Sequence, residues 1–264
     1  MTTTKKALVT GASEGIGRTF ALKLAQKGFA VTAVARNEQR LVELVKEMGG
    51  APHAFITADL TEAADLLKIQ NDLTKIGYDL LVNNAGLAHF GPFTHLTEKS
   101  LMSMLRLNME ALTLLSYRFL KTAKPGQVLI NTSSVLSFEP SPLNAVYAAS
   151  KAYVTSFTES LWYEYKKTGI YILNLCPGAT ESQFNRRAGG LDDRIPKWII
   201  QTSNAVVDEA LENALHQKSQ PTIVTGYKNK IMVFILSRLP RKTLVSLLGR
   251  VNKKQMQMDS ITHN

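Results

Sequence analysis

Tyr147 and Lys151 stand four residues apart in Tyr147-Ala148-Ala149-Ser150-Lys151, at the start of a segment with helical periodicity. On a helix that spacing puts both side chains on one face, a turn apart. A free phenol ionises near pH ~10, too high for ready proton exchange at neutrality, and a neighbouring ammonium favours the phenolate and lowers that value. The pair is therefore suited to protonating a nascent alkoxide, or to deprotonating an alcohol. Such spacings also occur on surface helices. Here the pair follows an apolar strand ending Asn131-Thr132-Ser133-Ser134, which brings hydroxyls to the same region.

A second constellation lies at the N-terminal end. Thr10-Gly11-Ala12-Ser13-Glu14-Gly15-Ile16-Gly17 joins a short apolar strand to a helix. Glycines permit a tight turn and close backbone approach, and the helix N-terminus offers unpaired N–H groups to an anion such as a pyrophosphate. The next strand ends Val34-Ala35-Arg36-Asn37, with no carboxylate before Glu38. An acid at this strand end suits a ribose 2′-hydroxyl, whereas a guanidinium suits a 2′-phosphate. Arg36 therefore points to NADP(H) in preference to NAD.

These residues need elements to hold them. Ala7–Thr10, Ala30–Ala35, His53–Thr57, Leu80–Asn83, Val128–Thr132, Ile170–Leu175 and Thr222–Thr225 read as strands, several almost wholly apolar. Helical periodicity runs through Ile16–Lys27, Glu38–Met48, Glu62–Ile76, Glu98–Lys121, Ala145–Lys167 and Val206–Gln217. Alternating βαβ units imply an α/β fold with a doubly wound parallel sheet, whose ligand lies beyond the carboxyl ends of the strands.

The order of the motifs resembles the short-chain dehydrogenase/reductase family: TGxxxGxG spacing in the first loop, Asn83-Asn84-Ala85-Gly86 after the fourth strand, and YxxxK after the fifth. The resemblance runs from roughly Lys5 to Thr225. It implies one Rossmann-like domain of about seven parallel strands. It implies cofactor contacts from Gly11, Ser13, Glu14, Gly15, Ile16 and Gly17, then from Arg36, then from Asp59 and Leu60 near the adenine. Asn83, Ala85 and Gly86 would support the sheet and line the cofactor channel. Tyr147 and Lys151 would reach the cofactor as well, the lysine through the nicotinamide ribose.

The implied catalytic residues are Asn108, Ser134, Tyr147 and Lys151. Ser134 precedes the tyrosine by thirteen positions, as the family's serine does, and would hold the substrate oxygen; Ser133 is the alternative. Asn108 would bend its helix, hold a water and link the lysine to solvent. Read without the resemblance, it is a polar residue tolerated in an amphipathic helix. Pro177, Gly178, Thr180 and Ser182 resemble the family's PGxVxT segment, which holds the nicotinamide carboxamide. Thr180 stands at the usual Val or Ile, Ser182 at the usual Thr, and Glu14 where many NADP users carry a base. The pro-S hydride of the nicotinamide would be the one transferred.

Composition bounds the rest. The chain has 264 residues, 45% hydrophobic and 20% charged, enough for a globular domain with a sizeable core. Residues 1–225 read as the NADP-binding catalytic domain and 226–264 as a basic, apolar extension. The lone Cys176 cannot form an internal disulfide, reads as a buried small hydrophobe, and suits a reducing compartment such as the cytoplasm. Met1 to Lys6 carries no targeting signal, and the longest apolar run, Ile231–Leu236, is too short to span a bilayer. The five histidines show no ligand spacing, so no metal is expected.

Of the net charge of +10, +8 lies from Asn213 onward. The tail reads as two short apolar helices edged by Lys and Arg and broken at Pro240. Such a stretch can lie in a membrane interface as a peripheral contact, or pack on the body or another subunit. No motif supports nucleic-acid binding.

Leu87–Phe93, Leu136–Asn144 and Gln183–Asn204, with Phe184, Ile195, Trp198, Ile199 and Ile200, would wall an apolar cleft for a small hydrophobic ketone or secondary alcohol. Within the family the chain is most similar to members that reduce 3-oxoacyl thioesters or steroid-like ketones. A homodimer or homotetramer built on the 98–121 and 145–167 helices is the family habit. A second reading stays open at this point: a non-catalytic, NADP-sensing protein that binds a membrane or partner through its basic tail.

Overall fold

The computed structural model describes residues 4–50, 52–181, 184, 188–189, 199–218 and 220–255. Its parallel strands are β1 (Lys6–Thr10), β2 (Ala30–Ala35), β3 (Ala54–Thr57), β4 (Leu80–Asn83), β5 (Val128–Thr132), β6 (Tyr171–Cys176) and β7 (Thr222–Val224). They form one seven-stranded sheet in the order β3-β2-β1-β4-β5-β6-β7. From β1 the chain steps outward to β2 and β3, then crosses back to place β4 beside β1. That reversal opens a crevice between the ends of β1 and β4, where a doubly wound sheet receives its ligand.

The strands are apolar because helices cover both faces. Ala7, Val9, Ala33, Val82, Ile130 and Leu173 point to one face. There they meet Phe20 and Leu24 of α1 (Gly15–Gln26), Leu41 and Leu44 of α2 (Glu38–Met48), and a later helix, Ser203–Leu215. Leu8, Val34, Leu81, Leu129 and Ile172 point to the other face, against Ile69 and Leu73 of α3 (Ala63–Ile76) and Leu115 and Phe119. Each fully buried Leu, Ile or Phe side chain contributes about 2 kcal/mol of transfer free energy, so the sheet is a stiff platform for its loops.

The single helix expected from Glu98 to Lys121 is interrupted. α4 (Glu98–Leu105) passes into a π-helical turn, Arg106–Ala111, before α5 (Leu112–Thr122). Asn108 sits in that turn, 1% exposed. A π turn inserts an extra residue per turn and is often found at functional sites. α6 (Ala145–Tyr165) begins two residues before Tyr147 and packs on β6 and on the turn after Ser134. α7 is the Ser203–Leu215 helix, started by the Thr202 side chain accepting from the Ala205 N–H.

The basic extension lies on the body. It forms α8 (Tyr227–Leu236) and α9 (Arg241–Gln255), on either side of Pro240. Asn229 is buried and donates to the Thr225 carbonyl at 2.9 Å and to Gln201 at 3.0 Å. Asn252 donates to Ser141 Oγ at 3.0 Å and to the Pro142 carbonyl at 2.7 Å, and Leu244 is 1% exposed. Among the described residues no helix is long and apolar enough to cross a membrane.

Candidate active site

The loops at the carboxyl ends of the strands enclose a cavity of about 1090 Å3. Its first part is the glycine loop. Gly11 has φ +67°, and a Cβ there would lie 2.9 Å from the Ala85 backbone; one on Gly17 would run into the Gly11 carbonyl and the Asn84 side chain. Only glycine lets the loop close against the strand-four segment. Thr10 Oγ1 accepts from the N–H groups of Asn84 and Ala85, both at 3.0 Å, and Asn84 Nδ2 donates to the Thr10 carbonyl at 3.2 Å. The N-terminus of α1 then opens on the cavity, which Gly11, Ser13, Glu14, Gly15 and Ile16 line.

Arg36, Asp59 and Leu60 line the cavity beyond β2 and β3. Arg36 Nη1 lies 3.6 Å from Asp59 Oδ2 and the guanidinium is largely exposed. Burial would raise the Asp59 pKa, but hydrogen bonds from the Thr61 N–H and hydroxyl, with Arg36 beside it, hold it below the usual carboxylate value. Arg40, in the first turn of α2, also lines the cavity and pairs with Glu14 at 2.6 Å. Sequence reasoning missed Arg40, although its place in the first helical turn after Arg36 was a visible signal. The pair also answers the departure at Glu14, whose charge Arg40 balances.

The other end of the cavity holds Ser134, Tyr147 and Lys151, with Ala85, Gly86, Pro177, Gly178 and Thr180 along the wall. Of the two candidate serines, Ser133 is committed to structure: its hydroxyl contacts the Lys151 carbonyl and Thr155 Oγ1, each at 2.8 Å. Ser134 lines the cavity beside the Tyr147 hydroxyl, while its Oγ accepts from the Leu136 N–H at 3.2 Å. The Tyr147 ring is 7% exposed, between Phe90, edge-on at 6.1 Å, and Phe184 at 5.8 Å.

Lys151 is 4% exposed and its Nζ donates to the Thr132 carbonyl at 2.9 Å, 5.8 Å from the Tyr147 ring centre. Asn108 does not line the cavity but stands behind Gly86. A Cβ on that glycine would sit 3.4 Å from both Asn108 Oδ1 and Lys151 Nζ. The Asn108 amide accepts from the Leu87 N–H at 3.0 Å and donates to the Leu87 carbonyl at 2.9 Å and to Ser150 Oγ at 3.0 Å. It is a buried anchor, not merely a polar residue tolerated in an amphipathic helix.

Three expectations change. Asn83 does not line the cavity: it is buried in the sheet and donates to Ser116 and Asn131, both at 3.0 Å, so Asn84 is the residue that faces the loop. Gly17 acts through close packing, not by lining the cavity. The Tyr147 pKa is not lowered: burial raises it to about 12, against the opposing Ser134 hydrogen bond. Burial likewise pulls Lys151 down to about 8, and its proton is aimed at Thr132. Ser182, Ile195 and Trp198 lie outside the described residues.

The wall contains residues that sequence reasoning did not bring to it. Met232 and Leu236 of α8 and Leu248, Val251 and Asn252 of α9 line the cavity with Phe90, Leu136 and Phe184. A Cβ on Gly178 would strike the Asn229 side chain, so the Pro177-Gly178 turn and α8 are fitted to each other. Among the described residues no cluster of three or more His, Cys, Asp or Glu could hold a metal. Cys176 is fully buried, and burial raises its thiol pKa.

Residues 5–190 match the short chain dehydrogenase family model. An uncharacterized oxidoreductase of Staphylococcus epidermidis is 35% identical over 222 residues, covering 78% of this chain and 95% of the relative. The very-long-chain 3-oxoacyl-CoA reductase of Anas platyrhynchos is 27% identical, covering 94% of this chain and 80% of the relative. A solved short-chain dehydrogenase from Sphingobium yanoikuyae in complex with NADPH superposes with a TM-score of 0.78 at 27% identity, over 89% of this chain and 96% of that one. With the glycine loop, Ser134, Tyr147 and Lys151 gathered on one cavity, the chain belongs to the short-chain dehydrogenase/reductase family, oxidoreductases that interconvert CH–OH and C=O groups.

Proposed function

We propose that this chain is an NADP(H)-dependent reductase of hydrophobic ketones. One observation carries the reading: a single cavity joins the glycine loop and the Arg36–Arg40 edge to Ser134, Tyr147 and Lys151. The residues present fit a nicotinamide dinucleotide. The loop and the α1 N-terminus suit a pyrophosphate, two guanidiniums suit a 2′-phosphate, and the Pro177–Thr180 turn suits the carboxamide. NADPH, when bound, supplies the hydride.

The protein's own part is orientation and proton supply. The Ser134 hydroxyl donates to the substrate carbonyl oxygen and holds it against the Tyr147 hydroxyl. A tyrosine held near 12 keeps its proton at neutral pH and can give it to the far more basic alkoxide. Lys151 lies beside the phenol and would bond the ribose. Asn108 fixes the backbone at Leu87 and, through Ser150, the helix that carries both groups. Phe90, Leu136, Phe184 and Met232 suit an apolar skeleton, consistent with a 3-oxoacyl thioester or a steroid-like ketone.

The test is a reductase screen with NADPH and NADH in parallel on acyl-thioester, steroid-like and small ketones. Turnover with NADPH on the hydrophobic substrates is expected. Saturable NADPH binding with no turnover on any of them would refute the reading in favour of a nucleotide sensor.

A second reading concerns the basic extension. Tyr227, Ile231, Phe234 and Ile235 of α8 are each more than half exposed. Between Tyr227 and Gln255 the chain carries eight Lys and Arg and no acid. An apolar face edged with cations matches an anionic lipid surface, and like charge disfavours pairing with a second copy. Pairing of subunits through α4–α5 and α6, where Met102, Tyr117 and Tyr163 are exposed, leaves this face free. Because α8 and α9 also wall the cavity, the test is I231E with F234E in the full chain, floated with phosphatidylserine-containing vesicles. Loss of flotation supports docking, and unchanged flotation removes it.

A further inference from the structure

Of the three acids among the described residues that line the cavity, Glu14 and Asp59 pair with Arg40 and Arg36, and Glu139 is left without a role in the reductase mechanism. Glu139 follows the turn Val135–Phe138 that Ser134 caps, and it lines the chamber with Phe90, Leu136 and Phe184. It is 8% exposed, and among the described residues nothing donates a hydrogen bond to its carboxyl or pairs with it. Two amides that line the same cavity are engaged elsewhere. Asn144 Nδ2 donates to Ser141 Oγ at 3.1 Å, and Asn252 Nδ2 to Ser141 Oγ and the Pro142 carbonyl. Burial with no compensating donor pushes the Glu139 carboxyl up to about 7. A buried carboxyl without a partner destabilises the fold, and a donor brought by a ligand offsets that cost.

The sign of the surroundings narrows the donor. Lys151 lies on the same cavity, whereas the bases of α8 and α9 are exposed or half-exposed on its outside. A cationic group would meet the Lys151 charge, whereas a neutral hydroxyl would not. A hydroxyl also suits either form of the acid, accepting from it or donating to it.

We propose that Glu139 determines substrate specificity: its carboxyl receives a hydroxyl that the substrate carries away from its reacting carbonyl. The preferred substrate is then a hydroxy-ketone with an apolar skeleton. The proposal rests on the reductase reading for the place of the carbonyl, at Ser134 and Tyr147.

The test compares alkan-2-ones of increasing chain length with the same ketones bearing a terminal hydroxyl. Two quantities are measured: kcat/KM with NADPH, and the calorimetric Kd on enzyme saturated with NADP. At the length that spans from Ser134 to Glu139, the hydroxy-ketone should be favoured about tenfold or more, as one charge-assisted hydrogen bond allows. E139L should remove the preference. The nearly isosteric E139Q should keep part of it, because its carboxamide oxygen still accepts, and it guards against a folding defect in E139L. The absence of preference at every length in the unmodified enzyme, or a preference that survives E139L, overturns the proposal. Discrimination in Kd without any turnover would support the subsite and sink the reductase reading; turnover without discrimination would do the reverse.

Discussion

Replacing Tyr147 with phenylalanine removes one oxygen from a ring that is almost wholly enclosed, and the structure separates what is lost from what is kept. The ring contacts with Phe90 and Phe184 survive, and the ring is 7% exposed in either case. Ser134 is the polar neighbour of the phenol, and burial already penalises the ionised hydroxyl. The change in folding stability should therefore stay within about 1 kcal/mol. The catalytic loss should be far larger. A positioned general acid contributes roughly 100- to 10,000-fold, equivalent to about 3–5 kcal/mol of activation free energy. Y147F is assayed by NADPH consumption with the best ketone of the screen, by fluorescence titration of NADPH, and by thermal melting. The expected pattern is a kcat lowered at least about a hundredfold, with NADPH affinity and melting temperature nearly unchanged. Activity within about tenfold of the unmodified enzyme would refute Tyr147 as the proton donor.

Three further outcomes follow from the same geometry. R36A and R40A should each weaken NADPH binding about tenfold while leaving NADH nearly unaffected, since a charge-assisted bond to the 2′-phosphate is what each removes; equal loss for both nucleotides in a Kd titration would contradict this. The folded-state pKa of Glu139 is raised from 4.5 to about 7, so the folded protein binds the proton more tightly and loses stability as pH rises between those values. E139Q should flatten that slope and, in urea unfolding at pH ~8, be more stable by up to about 3 kcal/mol; the same slope in both proteins would refute the assignment. N108A strips partners from the Leu87 N–H and carbonyl and from Ser150, which should cost about 3 kcal/mol and be visible as a lower melting temperature; a neutral result would show that water or a rearranged turn replaces the amide.

Much of the architecture is written in local patterns. β2, β4 and β5 have the boundaries that their apolar runs imply, because strands covered on both faces leave little room for polar residues. The glycine loop was legible for a similar reason: the close approach to Ala85 and Asn84 excludes a side chain at Gly11 and Gly17. What eluded sequence reasoning depends on distant segments meeting. Asn83 and Asn84 are adjacent and chemically identical, but Asn83 ends β4 and turns into the sheet, whereas Asn84 lies just past the strand and bonds the glycine loop. The raised pKa of Tyr147 reflects enclosure by Phe90 and Phe184 from loops far along the chain, which the Lys151 spacing does not reveal. The basic extension reads as an appendage because its charge dominates; its cavity-lining residues, Met232, Leu236, Leu248 and Val251, are scattered among those charges. The π turn at Asn108 leaves no mark in apolar periodicity, which runs through α4 and α5 unbroken.

The central claim is that a carbonyl held by Ser134 and Tyr147 faces the reactive carbon of the nicotinamide in this cavity. Its most direct test is isotope transfer, with NADPH deuterated on the pro-S position of the nicotinamide and a hydrophobic ketone that the enzyme reduces. The account predicts deuterium on the former carbonyl carbon of the product alcohol. Product lacking the label would contradict it.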